Sequence, residues 1–183
     1  MDCRLLNILG CMDSVTEGKY YVNDIEVSAL NKSDTHKFRK ENIGFVFQHF
    51  ALMDYYTAYE NIELPLLANN IKKKQRKKII NEQLENLGII EEKNKLPGKM
   101  SGGQQQRVAI ARALVTDAKI LLADEPTGAL DQKTGQEVLD ILKTINEQGK
   151  TVIIVTHDLE IAKKTKRIIS IVDGKIISDS KEE

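Results

Sequence analysis

Residues Met100 to Asp131 read MSGGQQQRVAIARALVTDAKILLADEPTGALD, and the rest of the chain can be placed around them. They begin with a glycine turn, Ser101–Gln104, and the run that follows it to Leu114 lacks a helix breaker, which predicts a helix. A helix start presents unpaired N–H groups and the positive end of the helix dipole, and glycines let a phosphate approach that backbone closely. The turn is therefore a candidate phosphate site, although Ser-Gly-Gly is more often an ordinary turn.

The second half of the same segment predicts a buried parallel strand with acidic residues at its end. Ile120–Ala123 is apolar throughout, and Asp124 and Glu125 follow it directly. In an open α/β sheet, ligands bind at the carboxyl edge of the strands. Acidic residues after a strand are commonly just a polar strand end, but a phosphate cradle followed by two carboxylates suits nucleotide and magnesium chemistry.

Composition narrows the class of protein. A chain of 183 residues with 41% apolar content fits one globular domain with a proper core. The 27 basic and 27 acidic residues balance, so no net charge favours nucleic acid as a partner. Cys3 and Cys11 form neither a disulfide framework nor part of a metal-ligand cluster. No apolar run approaches the roughly 20 residues that cross a bilayer, and no signal-peptide pattern is present, so we expect a cytosolic chain.

Two further apolar runs predict strands that end in polar residues. Ile43–Phe47 ends in Gln48, and Thr151–Val155, which reads as another buried strand, ends in Thr156, His157 and Asp158. A lone glutamine or histidine at a strand end is unremarkable, but His157 lies on the same predicted sheet edge as Glu125. The other predicted elements are a hairpin at 18–27, an amphipathic helix that follows a basic run and ends at Gly88, a helix at 137–148, and a closing hairpin at 167–178.

Taken together, these motifs resemble those of the ATP-binding-cassette (ABC) ATPases. Met100–Asp131 is similar to their signature motif, Walker B segment and D-loop in the usual order, and Thr57–Ile62 is similar to the T-x-x-E-N opening of a helix. The resemblance implies an α/β fold, a P-loop NTPase-like cassette with a mostly parallel central sheet and an inserted helical subdomain. It implies a single domain, with residues 1–51 and 99–183 as a RecA-like core and residues 52–98 as the helical subdomain.

The start of the chain departs from the family pattern. Leu5–Gly10 resembles the helix that follows the family's P-loop, G-x-x-x-x-G-K-[ST], but the lysine falls on Asp2, the first hydroxyl on Cys3 and the next on Arg4. An aspartate would repel the phosphates that the lysine neutralises. We expect a truncated or frame-shifted cassette that lacks the N-terminal strands and the P-loop, with impaired activity and two unpaired inner sheet edges. The alternative is a degenerate subunit that lends its signature helix to a partner with an intact P-loop.

The resemblance also implies cofactors and residue roles. ATP and Mg²⁺ would bind between two cassettes, with Glu125 as the base or water-orienting group and His157 hydrogen-bonded to the γ-phosphate and the attacking water. Asp124 would hold the magnesium-bound water, and Gln48 would reach the magnesium. The turn would cap the γ-phosphate of the opposite subunit's ATP through its residues Ser101, Gly102, Gly103 and Gln104. Asp131 would couple the two sites across the interface.

The implied partners are a second cassette, as a homo- or heterodimer, and a transmembrane permease that places the chain on the inner face of the cell membrane. The glycine at position 128 resembles the residue found there in export cassettes that handle lipoproteins, macrolides or antimicrobial peptides, whereas many importers have serine at this position. A soluble ABC ATPase of translation or DNA repair is a further reading, but duplicated cassettes or a long coiled-coil insertion are not visible. The basic run 72–78 is either a solvated face or a contact with anionic headgroups or a membrane partner's acidic face.

Overall fold

A computed structural model describes residues 4–181 of the chain. Asp2 and Cys3, which align with the P-loop lysine and hydroxyl, lie outside the described residues. The helices and strands, in chain order, are α1 (Arg4–Leu9), β1 (Tyr21–Val22), β2 (Ile25–Glu26), α2 (Lys32–Asn42), β3 (Ile43–Val46), α3 (Ala58–Ala68), α4 (Lys73–Asn86), α5 (Gly102–Leu114), β4 (Ile120–Asp124), α6 (Gln132–Glu147), β5 (Thr151–Val155), α7 (Leu159–Ala162), β6 (Arg167–Val172) and β7 (Lys175–Lys181).

A three-stranded parallel sheet, in the order β3-β4-β5, positions the candidate site. Strand β4 lies in the middle, with Val46 opposite Ala123 on one side and Val155 opposite Asp124 on the other. Because all three strands run in the same direction, their carboxyl ends meet at one edge. The residues that follow them, Gln48, Glu125 and His157, are therefore delivered to that edge, as the strand pattern predicts.

The core lies around α5 and β4. Leu121, Leu122 and Ala123 of β4 are buried, as is most of α5. Helix α6 packs an apolar face formed by Val138, Leu142 and neighbours into the same cluster. Four charged residues lie between the signature turn (Ser101–Gln104) and the acidic pair, and none of them is fully buried: Arg107 and Arg112 are half-buried, and Asp117 and Lys119 are exposed. A charged side chain in this interior would have no water to solvate it.

Strand β5 differs from the prediction of a second buried strand. Thr151 is exposed and the other four residues are only half-buried. Within residues 4–181, β5 is paired on one side only, with β4, and β6 and β7 form a separate antiparallel sheet. A groove of about 540 Å³ separates β5 and α6 from the start of β6. The prediction of burial is wrong because an apolar strand is buried only where neighbours cover both of its faces.

The segment between β3 and α5 is helical throughout its regular parts, namely α3, α4 and the short 3₁₀ turns Ile90–Glu92 and Pro97–Lys99. Its predicted start is confirmed: Thr57 caps α3, and its hydroxyl accepts from the Glu60 N–H while the Glu60 carboxylate accepts from the Thr57 N–H. Of the basic run, only Arg76 is half-buried, and it pairs with Glu63 at 2.7 Å. The division into core and helical subdomain stays a prediction.

Some predicted boundaries shift. Helix α6 begins at Gln132, five residues before its predicted start, because Asp131 caps it. Strand β7 continues to Lys181, three residues beyond Ser178. Both predicted hairpin turns are present, with Asn23 and Asp173 in the left-handed region. No helix within the described part of the chain has the length and apolarity to span a membrane.

Candidate functional site

Glu125 lies at the carboxyl edge of the sheet, where both its backbone and its carboxylate are hydrogen-bonded. It directly follows β4, and its N–H donates to the Val155 carbonyl at 2.9 Å, which extends the pairing with β5 by one bond. Its Oε2 accepts from the Thr156 hydroxyl at 2.9 Å. Its Oε1 accepts from the His157 N–H at 2.8 Å and lies 2.6 Å from Nδ1 of the same histidine. The structure therefore brings Glu125 and His157 together, as their shared sheet edge predicts.

The two partners differ in exposure. The Glu125 side chain is 17% exposed, whereas that of His157 is 82% exposed. The carboxylate is thus held from the protein side while the imidazole faces outward. The tautomer of His157 that carries a proton on Nδ1 donates to Glu125, and this leaves Nε2 available to a ligand at the edge.

Asp124 and Gln48 belong to the same edge. Asp124 is the last residue of β4 and is half-buried opposite Val155. The Gln48 side chain packs on Gly128: a Cβ at that glycine would lie 2.9 Å from Gln48 Nε2. Gln48 therefore packs against the turn that follows Glu125, at a residue three positions after the glutamate.

The loop after Gln48 is held by a residue of α5. Phe50 and Ala51 both have positive φ, 61° and 49°, which is unfavourable for side chains other than glycine. The Arg112 guanidinium donates to both of their carbonyls, at 3.0 and 2.6 Å. Burial lowers the pKa of Arg112 from its ordinary value, since desolvation disfavours the charged form. The two bonds to carbonyl oxygens compensate for part of that loss of solvation.

The signature turn is closed by a capping box. The Ser101 hydroxyl accepts from the Gln104 N–H at 3.3 Å, and Gln104 Oε1 accepts from the Ser101 N–H at 2.8 Å. The Gln104 amide group donates in turn to Glu92 Oε1 at 3.0 Å. Both ends of the Gln104 side chain are therefore engaged within the chain, and they fix the shape of the turn. The Ser101 hydroxyl proton and the N–H groups of Gly102 and Gly103 remain the turn's means of binding an anion.

The glycines of the turn also serve packing. A Cβ at Gly103 would lie 2.3 Å from Cγ2 of Thr134 on α6, and one at Gly102 would lie 3.1 Å from Leu130. The helix starts of α5 and α6 thus meet so closely that a side chain at position 103 would displace the Thr134 methyl group. The sequence assigned this glycine to phosphate binding alone, and the structure adds a steric requirement.

Asp131 caps α6 beside that contact. Its carboxylate accepts from the Thr134 hydroxyl at 2.6 Å and from the Thr134 N–H at 3.1 Å. These bonds lower the pKa of Asp131 below its ordinary value, and the bond from the Thr134 hydroxyl has the larger effect. Thr134 therefore touches both Asp131 and Gly103, so the structure brings the predicted D-loop residue and the signature turn together.

A divalent cation fits this edge only in part. Within residues 4–181 no group of three or more His, Cys, Asp or Glu side chains is arranged to hold a metal ion. Asp124 and Gln48 offer carboxylate and amide oxygens, which Mg²⁺ prefers, and Mg²⁺ is commonly held by one or two carboxylates together with substrate phosphates. The donor set is therefore that of a site completed by a nucleotide, not of a resident metal.

Sequence reasoning missed four residues that position the site. Thr156 and Gln106 contact the Glu125 turn, Arg112 fixes the loop after Gln48, and Thr134 links Asp131 to Gly103. Thr156 precedes the histidine directly, so its place was readable. The others are distant in sequence from the groups they contact, and a polar residue within a helical pattern carries no signal of its partner.

Comparison with known proteins agrees with the motifs and the fold. The family model described as "ABC transporter" matches residues 4–128. An uncharacterized ABC transporter ATP-binding protein, YvrO of Bacillus subtilis, is 44% identical over 97% of this chain and 77% of its own length. The macrolide export ATP-binding/permease protein MacB of Bartonella quintana is 44% identical over 96% of this chain, which spans only 27% of that relative.

Solved structures place the fold in the same family. A structure titled as the dimeric form of MJ0796, a bacterial ABC transporter cassette, superposes with a TM-score of 0.86 at 45% identity, over 97% of this chain and 79% of that one. A second structure of that cassette is described as a post-hydrolysis state bound to ADP and Pi, with the same TM-score and 44% identity. The expected α/β cassette fold and the resemblance are therefore confirmed, and the chain belongs to the ABC transporter family as an ATP-binding cassette.

Proposed function

We propose that the chain is the ATP-binding and ATP-hydrolysing subunit of an ABC exporter, and that it pairs with a second cassette around ATP to drive a separate permease. The observation that carries the proposal is the Glu125 carboxylate, fixed at the carboxyl end of β4 by Thr156 and His157. A carboxylate held this way cannot rotate toward solvent, so it is oriented before a substrate binds.

The residues at this edge have different roles in an in-line attack on a γ-phosphate. Glu125 orients the attacking water and accepts its proton. His157 would hydrogen-bond the γ-phosphate and the attacking water from the exposed side of the same unit, where Nε2 accepts in the tautomer with a proton on Nδ1 and donates in the imidazolium. Asp124 and Gln48 would hold Mg²⁺, which neutralises charge on the phosphate oxygens when bound. Gln48 packs on Gly128, so its position follows that of the turn after Glu125.

The signature turn serves a second cassette in this proposal. Ser101, Gly102 and Gly103 would bind the γ-phosphate held by the opposite subunit, through the hydroxyl, the N–H groups and the positive end of the α5 dipole. Gln104 supports the turn through its capping bond. Asp131 is bonded to Thr134 beside the turn and would couple the two sites.

The permease is the proposed membrane partner, and it would hold the cassette at the inner face of the cell membrane. The relatives named as macrolide export proteins combine an ATP-binding part with a permease, and this chain matches about a quarter of their length. These names favour transport over a soluble ATPase of translation or DNA repair. A gene for a polytopic membrane protein beside this one would support the proposal further.

A second candidate is a regulatory cassette that lends its signature turn but does not hydrolyse ATP. Asp2 stands where the family has its phosphate-binding lysine, and Cys3 stands where it has a hydroxyl. The capped Ser101 turn, by contrast, has the features that the partner's nucleotide would need. On either candidate we expect the chain alone to hydrolyse ATP at no measurable rate.

The test is nucleotide-dependent association. The full chain is mixed with a complete family cassette that has an intact P-loop, with and without MgATP, and complexes are counted by size-exclusion chromatography with light scattering. We expect a mixed complex only with MgATP, and none with Ser101→Arg, which fills the turn with a bulky cation. Ser178→Arg on the exposed strand β7 is the matched control and should not change assembly.

The outcomes separate the candidates. Association that does not need nucleotide, or that survives Ser101→Arg, contradicts both. If the mixed complex hydrolyses ATP more slowly when this chain carries Glu125→Gln, the chain is catalytic; unchanged hydrolysis identifies the regulatory cassette. Translating the DNA upstream of the Met1 codon in all frames is an independent check, because a GKS or GKT motif in another frame would establish a frame-shifted cassette.

A further inference from the structure

Gln106 is a polar residue in the fully buried interior of the protein. It lies on α5 one turn after the signature turn, and its exposed fraction is 0%. Its Nε2 donates to the Pro126 carbonyl at 2.6 Å, across 20 residues of sequence. The following buried residues of the helix, Val108, Ala109 and Ile110, are apolar.

A glutamine at this buried position destabilises the folded state unless its single hydrogen bond compensates for the unpaired oxygen. Among residues 4–181, its Oε1 has no hydrogen-bond partner. A buried acceptor without a partner destabilises the folded state, whereas an apolar side chain of the same length would avoid that loss. The bond to Pro126 is therefore the feature that explains a glutamine here.

Pro126 matters because of the residue before it. Glu125 has φ of 43°, a left-handed conformation that is unfavourable for a residue with a side chain. Such conformations persist only where the surroundings over-determine them. The Glu125 N–H is bonded to Val155, and the Glu125 carbonyl accepts from the Gly128 N–H at 3.0 Å. Gln106 fixes the next carbonyl, so consecutive backbone groups of the turn are each held.

We propose that Gln106 is a positioning residue for Glu125: its hydrogen bond to the Pro126 carbonyl holds the left-handed turn that aims the carboxylate at His157. The catalytic meaning of this inference rests on the proposed function, but the geometry does not. Without the bond, the turn loses its anchor on α5, and the contact between the Glu125 carboxylate and the His157 ring loosens.

The test is a spectroscopic comparison of two variants of the full chain, without nucleotide. Gln106→Met keeps the side-chain length and removes the N–H donor. Gln105→Met is the matched control, because the Gln105 amide also donates to a carbonyl, that of Met100 at 3.2 Å, but does not touch the Glu125 turn. The readouts are the NMR signals of the histidine rings, the exchange rate of the Gly128 amide and the thermal midpoint.

In Gln106→Met we expect the His157 ring signals to shift and the Gly128 amide to exchange about tenfold faster, as the loss of one hydrogen bond allows. His36 lies elsewhere, on α2, and should keep its signals, which shows that the effect is local. A residue with a merely structural role would lower the thermal midpoint and leave the His157 signals unchanged. Gln105→Met should leave the His157 ring signals and the Gly128 exchange rate at their wild-type values.

The inference is wrong if a folded Gln106→Met leaves the His157 signals in place, or if Gln105→Met shifts them equally. Should Gln106→Met not fold, Gln106→Asn takes its place, since that amide is one methylene too short to reach Pro126, and the same criteria apply. Failure of both variants to fold would assign Gln106 to core stability and overturn the proposal. Because the readouts need no nucleotide, a failure of the MgATP-dependent association with a complete cassette would contradict the proposed function alone.

Discussion

Strands β4 and β5 have nearly the same sequence pattern but different surroundings. Both are five-residue parallel strands with a central run of large apolar residues, and they pair with each other along their whole length. Strand β4 has a neighbour at each edge, and its core residues are fully buried. Strand β5 has one neighbour within residues 4–181 and stays half-exposed. An apolar run therefore specifies a strand, whereas its burial depends on what packs beside it.

The same contrast extends to the elements around each strand. Helices α3, α4, α5 and α6 pack into one cluster with β4. Beyond β5, the hairpin of β6 and β7 forms its own sheet, and Ile176 and Ile177 remain 67% and 64% exposed. Stability should thus be concentrated on the β4 side, and four sets of substitutions test this difference between the two strands.

The largest effect should come from a pair of residues that face each other across the two strands. Leu122 of β4 and Ile153 of β5 are register partners in the same apolar cluster, but only Leu122 is fully buried. We expect Leu122→Ala to lower the free energy of unfolding by about 2–5 kcal/mol, because it leaves a cavity. Ile153→Ala should lower it by about half as much, since less area leaves water on folding. Urea denaturation measures both, and equal losses would contradict the comparison.

Gly44 tests the packing of β3 against α5. A Cβ at this position would lie 2.4 Å from the Ala113 carbonyl oxygen, a backbone atom that cannot move aside. Gly44→Ala should therefore reduce the free energy of unfolding by about 1–3 kcal/mol through overpacking. Gly98, around which a Cβ would meet nothing within 4 Å, is the matched control and should change stability by about 0.5 kcal/mol or less on conversion to alanine. A neutral Gly44→Ala would show that this side is loosely packed.

An arginine-to-lysine substitution can be made both beside β4 and on the hairpin beyond β5, and its effect on stability compared. Arg112 donates to two carbonyls of the loop after Gln48, and lysine cannot reproduce that fork. Arg112→Lys should lower the free energy of unfolding by about 1–2 kcal/mol and increase proteolysis of the loop. Arg167 pairs with Asp179 on the exposed hairpin, and Arg167→Lys should have a smaller effect because water screens that pair. A larger loss at Arg167 would reverse the comparison.

The smallest effect should be a pH dependence at Asp131. Bonds from Thr134 lower the pKa of this carboxyl from its ordinary value in the folded chain, so the ionised form favours folding. Its contribution is fully present above the unfolded value and is lost as the pH falls through the lowered folded value. The urea midpoint of the wild type should therefore decrease more between pH 5 and pH 3 than that of Asp131→Asn. Parallel curves would indicate that the bonds to Thr134 contribute nothing.

The sequence predicted the elements that local pattern determines. The strands around Gln48, Glu125 and His157, the capping box at Thr57 and the carboxyl edge they share all follow from periodicity, caps and the rule for parallel sheets. The roles of these residues stay predictions until nucleotide is bound.

What the sequence did not predict depends on contacts between distant segments. Nothing in the pattern around Gln106 identifies Pro126 as its partner, and nothing around Gly103 reveals Thr134 on another helix. The exposure of β5 was missed for the same reason, since its apolar run is indistinguishable from that of a covered strand. Such features require the three-dimensional arrangement because they are properties of pairs of segments.

Gly128 has a consequence for engineering this family. With only hydrogen at its α-carbon, it gives the Gln48 amide a flat backbone surface to rest on. A serine, as many importers have there, would bring a Cβ to within 2.9 Å of that amide and force the glutamine into another rotamer. The presence or absence of a Cβ at position 128 should therefore determine which rotamer the neighbouring loop can give to Gln48.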